Sequence, residues 1–340
     1  STLFPYTTLF RSNSERGIKL KISVLGCGRW GSFIAWYLDK IGHGVKMWGR
    51  KGSTHLTEIK TFRRNSYLSF PESISITDDL KDCLESSNIL IVSISAQALR
   101  DLAESIKFCG VDLKDKIFVL CMKGIEENTG KRLSEVVKEC LGESTQVAVW
   151  VGPGHVQDFA RGIPNCMVID SSSDDVKNFL VEQFSSSLIR FYYGVDMIGS
   201  EIGAAAKNVM GIAAGILDGM GYESLKGALM SRGTREVARL IKAMGGSEMS
   251  AYGLAHLGDY QATLFSSHSN NRKFGELLVT GKPYDKLAEG VATSHAMVNL
   301  GEKYGVELPI CRAVYNSVTA KTVPQKAISE LFLRSIKKEF

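Results

Sequence analysis

The sequence predicts an α/β chain in which a mostly parallel sheet with helices on both faces is followed by an all-helical region. Three observations carry this. Short apolar runs alternate with helix-period segments from about residue 19 to 194. The first apolar run leads into a glycine-rich turn, Gly26-Cys27-Gly28-Arg29-Trp30-Gly31, which opens a helix. From Asp196 onward helical periodicity continues and no convincing strand is found. The expected organisation is therefore a leader over 1–18, an α/β domain over 19–194 and a helical domain over 195–340.

The elements are expected in order. Leu20 to Leu25 is a strand and Trp30 to Ile41 a helix. Gly44 to Trp48 is the next strand, and Ser75-Ile76 is a short extended piece. Asp79 to Ser86 reads as a helix. Ile89 to Ile94 is a continuous apolar run, as suits a strand covered on both faces. Ser95 to Lys107 is helical, Lys116 to Cys121 a strand and Lys131 to Leu141 a helix with apolar residues on one face. Gln146 to Val151 is a strand ending in Gly152-Pro153-Gly154. Strands at Cys166 to Ile169 and Leu188 to Tyr193 flank a helix at Asp174 to Ser185. Beyond them, Ile198 to Leu217 is a helix rich in Gly and Ala.

Composition narrows the class. The chain has 340 residues, 44% hydrophobic and 23% charged, which is the balance of a globular protein long enough for two domains. The net charge of +5 suits anionic small molecules. No dense Lys/Arg tract with interleaved aromatics points to nucleic acid. The seven cysteines are scattered and without CxxC spacing, so they read as reduced thiols of a cytoplasmic protein. Ile198 to Leu217 has the length of a membrane span, but Glu201, Lys207 and Asn208 interrupt it, so a buried helix is expected and no membrane insertion. Ser1 to Gly17 has no signal-peptide pattern and resembles translated adaptor sequence; a native disordered leader is the other reading.

The glycine turn carries the first chemistry. A strand, a GxGxxG turn and a helix in that order form a dinucleotide-binding fingerprint. Gly26 allows the sharp turn, Gly28 lets a pyrophosphate approach the backbone, and Gly31 lets helix and strand pack closely. The helix start presents free N–H groups to phosphate. Where an NAD-preferring site has a carboxylate, the second strand ends in Arg50 and Lys51. A cation there favours NADP(H) over NAD(H); an arginine merely solvated at a strand end is the alternative.

Four further clusters carry candidate chemistry. Lys123 follows a buried strand, where it either contacts substrate or is simply solvated. Lys207 and Asn208 lie on the small-residue helix. A lysine there is either paired and working, with a pKa lowered towards neutrality, or reaches solvent along its stem. Asp259, in Leu257-Gly258-Asp259-Tyr260, is a carboxylate able to pair with a buried lysine. The stretch Ser269-Asn270-Asn271-Arg272-Lys273 is basic enough to hold a phosphate, or is an exposed loop. No histidine forms a catalytic or metal constellation, so lysine is the expected acid/base and no metal is expected.

GCGRWG, MWGR, CMKGIE, GPG, EIGAAAKNVMGIAAGILDGMGY, ALMSRGTRE, GLAHLGD and NNRKFG follow one another in an order that resembles the NAD(P)-dependent glycerol-3-phosphate dehydrogenases, from about Lys19 to about Lys321. The resemblance implies a Rossmann domain followed by a helical domain. It implies interconversion of dihydroxyacetone phosphate and sn-glycerol 3-phosphate for glycerophospholipid synthesis, with NAD(H) or NADP(H) and in a homodimer. It implies that Lys207 is the general acid/base, and that Lys123 contacts substrate and cofactor. Asn208, Asp259 and Thr263 fall at substrate positions, with Gly152, Gly154, Ser269, Asn270, Asn271 and Arg272 beside them. Arg29, Trp30, Val156, Asn270, Leu287 and Glu289 fall at cofactor positions.

Two departures from that pattern matter. The serine usual after the Gly-Pro turn is Gly154, followed by His155. The arginine usual in the phosphate loop is Asn270, and asparagine cannot give bidentate charged bonds to phosphate. Arg272, Lys273 or His155 is expected to compensate. Otherwise the alternatives are a related dehydrogenase acting on another hydroxy acid or polyol, or a non-catalytic dinucleotide-binding sensor.

Overall fold

Apolar strands wound through helices generate one sheet. The computed structural model describes residues 19–336 and residue 338; the expected leader over 1–18 lies outside them. The chain divides into two compact units. Among the described residues, the first comprises 19–122, 134–150 and 154–195; the second comprises 123–133, 151–153, 196–336 and 338. Two short segments expected in the first domain, one of them carrying Lys123, thus belong to the second unit.

In the first unit the elements are β1 (Lys21–Leu25), α1 (Arg29–Lys40), β2 (Gly44–Trp48), α2 (Thr54–Phe62), β3 (Ser75–Thr77), α3 (Leu80–Ser86), β4 (Ile89–Val92), α4 (Leu99–Phe108), β5 (Ile117–Leu120), α5 (Leu133–Leu141), β6 (Gln146–Val151), α6 (Val156–Ala160), β7 (Asn165–Ser171), α7 (Asp174–Phe184) and β8 (Ile189–Tyr193). The sheet order is β3-β2-β1-β4-β5-β6-β7-β8. The pairs β1–β2, β1–β4, β2–β3, β4–β5, β5–β6 and β7–β8 are parallel. Val24 stands opposite Met47 on one side and Ile91 on the other. The chain reverses its winding direction between β1 and β4, and a doubly wound sheet opens its ligand crevice at such a switch point. The glycine turn leaves β1 there. Core residues Ile22, Val24, Phe33, Met47, Ile91, Val119 and Trp150 are buried, which is why the strands are nearly all apolar.

Three local expectations are corrected. The helix expected from Lys131 begins at Leu133, because residues 125–132 fold back through an Ile125–Arg132 bridge and a bond from Glu126 N–H to the Lys131 carbonyl. The run expected to continue to Ile94 ends at Val92, and Ser93 turns beside the glycine loop. Helices α2 and α6 were not foreseen; α2 buries only Leu56 and Ile59, too few positions for a clear periodicity, and α6 has five residues.

The second unit is built on α8 (Met197–Gly219), 23 residues long. Around it lie α9 (Lys226–Ala243), α10 (Asn270–Val279), α11 (Gly290–Lys303), α12 (Pro309–Val318) and α13 (Pro324–Phe332). Its small residues serve close packing rather than a membrane. A Cβ on Gly215 would collide with the Arg272 carbonyl, and one on Gly275 with the Ile212 carbonyl. The backbones of α8 and α10 therefore touch without intervening side chains. Among the described residues no helix is long and apolar enough to cross a membrane.

The contact yields a stability prediction. Gly215→Ala should destabilise the protein by about 1–3 kcal/mol or more, the range for overpacking. A urea or thermal midpoint equal to that of the wild type would show that α10 can step aside.

Candidate active site

The glycine turn has the form of an anion cradle. Gly26 has φ +125°, and a Cβ there would strike the Ser93 carbonyl. A Cβ on Gly31 would strike the Gly26 carbonyl, so this residue sets the packing of α1 on the turn. Gly28 differs: a Cβ there meets nothing within 4 Å. It is the N-cap residue of α1, no side chain caps the helix, and its first turn holds no acidic residue. The N–H groups of that turn and the positive end of the helix dipole are therefore available to an anion.

Neighbouring residues complete the cradle. Arg29 is exposed in the first turn. The Trp30 ring lies 5.0 Å from Phe33 and 6.3 Å from Phe159, and its buried Nε1 has no hydrogen-bond partner among the described residues. Arg50, exposed at the end of β2, acts electrostatically on Cys27 in the turn. These features fit the binding of a dinucleotide, whose phosphates Gly28 and the first turn of α1 would hold. Gly154 and Val156 also lie in the first unit. A Cβ on Gly154 would collide with the Phe159 ring, so this position is fixed by packing, and Val156 is buried at the start of α6.

In the second unit the three residues expected to do chemistry meet at one atom. Lys123 Nζ lies 2.5 Å and Lys207 Nζ 3.2 Å from Asp259 Oδ2. Lys123 also donates to the Gly152 carbonyl at 2.7 Å. Lys207 donates to Thr263 Oγ1 at 3.0 Å, and Thr263 donates to the Asp259 main-chain carbonyl at 2.8 Å. Asn208 Nδ2 holds the Lys123 carbonyl at 2.8 Å. Asp259 is 1% exposed, Lys207 13% and Lys123 18%.

The electrostatics follow from this packing. Burial lowers the Lys207 pKa to about 8; Asp259 opposes the shift, and Lys123 adds to it by like-charge repulsion. Glu289, just before α11, also acts on Lys207 in the raising direction. With both lysines protonated, two ammonium groups face one carboxylate and the cluster is net positive. It can attract an anion, polarise a carbonyl oxygen and exchange a proton near neutral pH.

Comparison with known proteins gives the family. The NAD-dependent glycerol-3-phosphate dehydrogenase N-terminal sequence family matches residues 21–177, and the C-terminal one matches residues 196–329. The chain belongs to the NAD-dependent glycerol-3-phosphate dehydrogenase family. A protein of Pelodictyon phaeoclathratiforme named glycerol-3-phosphate dehydrogenase [NAD(P)+] is 37% identical over 333 residues, covering 94% of this chain and 99% of that one. Its counterpart in Fusobacterium nucleatum is 36% identical over 94% of this chain and 98% of its own length. The crystal structure of glycerol-3-phosphate dehydrogenase from Coxiella burnetii superposes with a TM-score of 0.86 at 29% identity, covering 93% of this chain and 99% of that one.

The phosphate loop of this family member differs from the expectation in one respect. Arg272, expected to stand in for the missing arginine, is paired with a carboxylate here. Its Nε lies 2.5 Å from Asp218 Oδ2, and Lys226 holds the other carboxylate oxygen at 2.6 Å. Asp218 is about 16 Å further along α8 than Lys207, at 1.5 Å per residue. Lys273 pairs with Glu276 at 3.0 Å. Ser269 caps α10 by accepting the Arg272 N–H. Asn270 reaches the carbonyl of the exposed Leu287 at 3.4 Å, and Asn271 accepts the N–H of Gly290 at 2.9 Å. Asn271 thus ties the start of α10 to the start of α11, next to Glu289.

Sequence reasoning missed His256. It is fully buried and stands close enough to Asp259 and Lys207 to feel both charges. The signal was its place three residues before Asp259, within the motif already singled out.

Asp259→Asn isolates the shared carboxylate. It should destabilise the fold by about 3–5 kcal/mol, the range for breaking a buried pair. It should also move the Lys207 titration below about 8, read by NMR of labelled lysine. An unchanged titration would remove Asp259 as the group that sustains the Lys207 charge.

Proposed function

We propose that this chain catalyses the NAD(P)-dependent interconversion of dihydroxyacetone phosphate and sn-glycerol 3-phosphate. The observation that carries this reading is the convergence of Lys123 and Lys207 on Asp259, on the scaffold of this dehydrogenase family. When bound, the nicotinamide supplies hydride for reduction or accepts it in oxidation. Gly26, Gly28, Arg29, Trp30 and Gly31 would hold the dinucleotide, with Arg50 favouring the 2′-phosphate of NADP(H) and Val156, Leu287, Glu289 and Asn270 as further contacts.

Lys207 is the acid/base. Its ammonium donates a proton to the C2 oxygen in reduction, and the neutral amine removes it in oxidation. Lys123 orients that oxygen and offsets developing negative charge, since an ammonium is worth more in a dry site than in water. Asp259 keeps both lysines in place. Thr263 and Asn208 fix the Lys207 head and the Lys123 main chain. For the substrate phosphate, support comes from the start of α10, where Ser269, Asn270 and Asn271 stand and the first turn has no acidic residue. The reading includes a cytoplasmic location and a homodimer.

The deciding assay is loss of NADPH or NADH absorbance on addition of dihydroxyacetone phosphate. Rapid oxidation is expected. Cofactor binding with no oxidation would overturn the reading and leave another hydroxy acid or polyol, tested by a substrate screen. Lys207→Ala should lower kcat by about 10²–10⁴-fold, the range for a positioned acid/base, with cofactor affinity nearly unchanged.

The pH profile has a definite sign. Reduction needs the Lys207 ammonium, so kcat/KM should fall as pH rises through about 8, whereas glycerol 3-phosphate oxidation should rise over the same interval. Profiles that move in parallel would exclude Lys207. Gly28→Leu provides a separate check on the cofactor. A side chain there enters open space, so stability should hold while NADPH binding, read by fluorescence, weakens about tenfold or more.

A further inference from the structure

The second unit contains a buried polar pair that the proposed reaction does not use. His256 and Tyr260 are both 0% exposed, and their rings meet edge to face with centroids 4.8 Å apart. His256 Nδ1 lies 2.8 Å from the Gly203 carbonyl. A carbonyl only accepts, so the proton sits on Nδ1 and Nε2 is left as an acceptor. The Tyr260 hydroxyl, 2.7 Å from Nε2, therefore donates to it. Burial lowers the His256 pKa to about 4, so the imidazole is neutral at physiological pH.

Each end of this bridge is attached to a reacting group. Gly203 precedes Lys207 by one turn of α8, and in a regular helix its carbonyl accepts the Lys207 N–H. Tyr260 directly follows Asp259. It leads into the turn Gln261–Phe265 that carries Thr263, the second partner of Lys207. A Cβ on Gly203 would lie 3.0 Å from the His256 Cβ, so the glycine permits this close approach.

We propose that His256 and Tyr260 are positioning residues that hold Asp259 and Thr263 at contact distance from Lys207. Their hydrogen bonds run to Gly203 and to each other, not to a lysine head group. They tie the segment that carries the carboxylate to the helical turn that carries the acid/base. Because the bridge is uncharged, it adds no field that competes with Asp259. Lys207 itself is faced by Asp259, Lys123, Glu289 and the neutral His256. Tyr260 is faced by Glu236 and Cys311 on its other side. Loosening the bridge lets Asp259 withdraw, and burial then pulls the Lys207 pKa lower with less to oppose it.

This inference rests on Lys207 being the acid/base, so its test reads Lys207 directly as well as through turnover. Three variants of the full chain are compared with the wild type. His256→Leu removes both hydrogen bonds. His256→Asn keeps an amide donor for Gly203. Tyr260→Phe keeps the ring and loses the hydroxyl. In His256→Leu the NMR titration midpoint of Lys207 should drop by about 0.5 on the pH scale or more. Its kcat/KM for dihydroxyacetone phosphate should fall about tenfold or more, with the KM for NADPH unchanged. His256→Asn should recover most of both losses, and Tyr260→Phe should fall between.

A folded His256→Leu with the wild-type Lys207 titration overturns the proposal, whatever its melting temperature. So does His256→Asn behaving like His256→Leu. Should His256→Leu fail to fold, Tyr260→Phe decides: an unshifted Lys207 titration sinks the positioning role. A wild-type pH profile that ignores the Lys207 titration overturns the acid/base reading instead, while the NMR comparison still judges the bridge.

Discussion

One carboxylate oxygen, Asp259 Oδ2, is shared by two ammonium groups, and much of the second unit serves to keep that arrangement dry and fixed. A buried lysine without a counter-charge loses its proton or drags water inward. Two lysines beside one carboxylate are a compromise: burial and mutual repulsion lower the Lys207 pKa, while the carboxylate stops the fall near 8. That leaves a lysine able to give and take a proton near neutral pH, within a cluster that is still net positive.

The constraint reaches back into composition. Helix α8 gives up side chains so that its neighbours can approach closely. Gly215 and Gly275 let α8 and α10 touch main chain to main chain. That contact brings the start of α10 alongside α8, where Asn271 links it to Gly290 at the head of α11. The stretch that has the length of a membrane span is a surface for close approach.

Several candidate residues stood out because their chemistry conflicts with their surroundings. Lys207 stands out on an apolar helix, Lys123 after a buried strand, and Asp259 as a carboxylate in need of a cation. The fold was legible for a related reason: runs buried on both faces and a strand–glycine turn–helix order leave a pattern along the chain. The pairing of Arg272 was not legible, because its sequence neighbourhood is basic and loop-like. Only the folded chain brings Asp218 and Lys226 to it. His256 was passed over because its partners, the Gly203 carbonyl and a tyrosine hydroxyl, bear no charge to mark the pair.

The sequence by itself determined the order of the strands and of most helices beside them, the dinucleotide fingerprint and the family, since each rests on local spacing and residue type. The tertiary structure decided which charges meet. Lys123, Lys207 and Asp259 are separated by 52 to 136 residues along the chain, yet two ammonium groups contact one oxygen. Strand and helix patterns arise from neighbours a few residues apart, whereas an ion pair arises from burial and proximity in three dimensions, which no local pattern records.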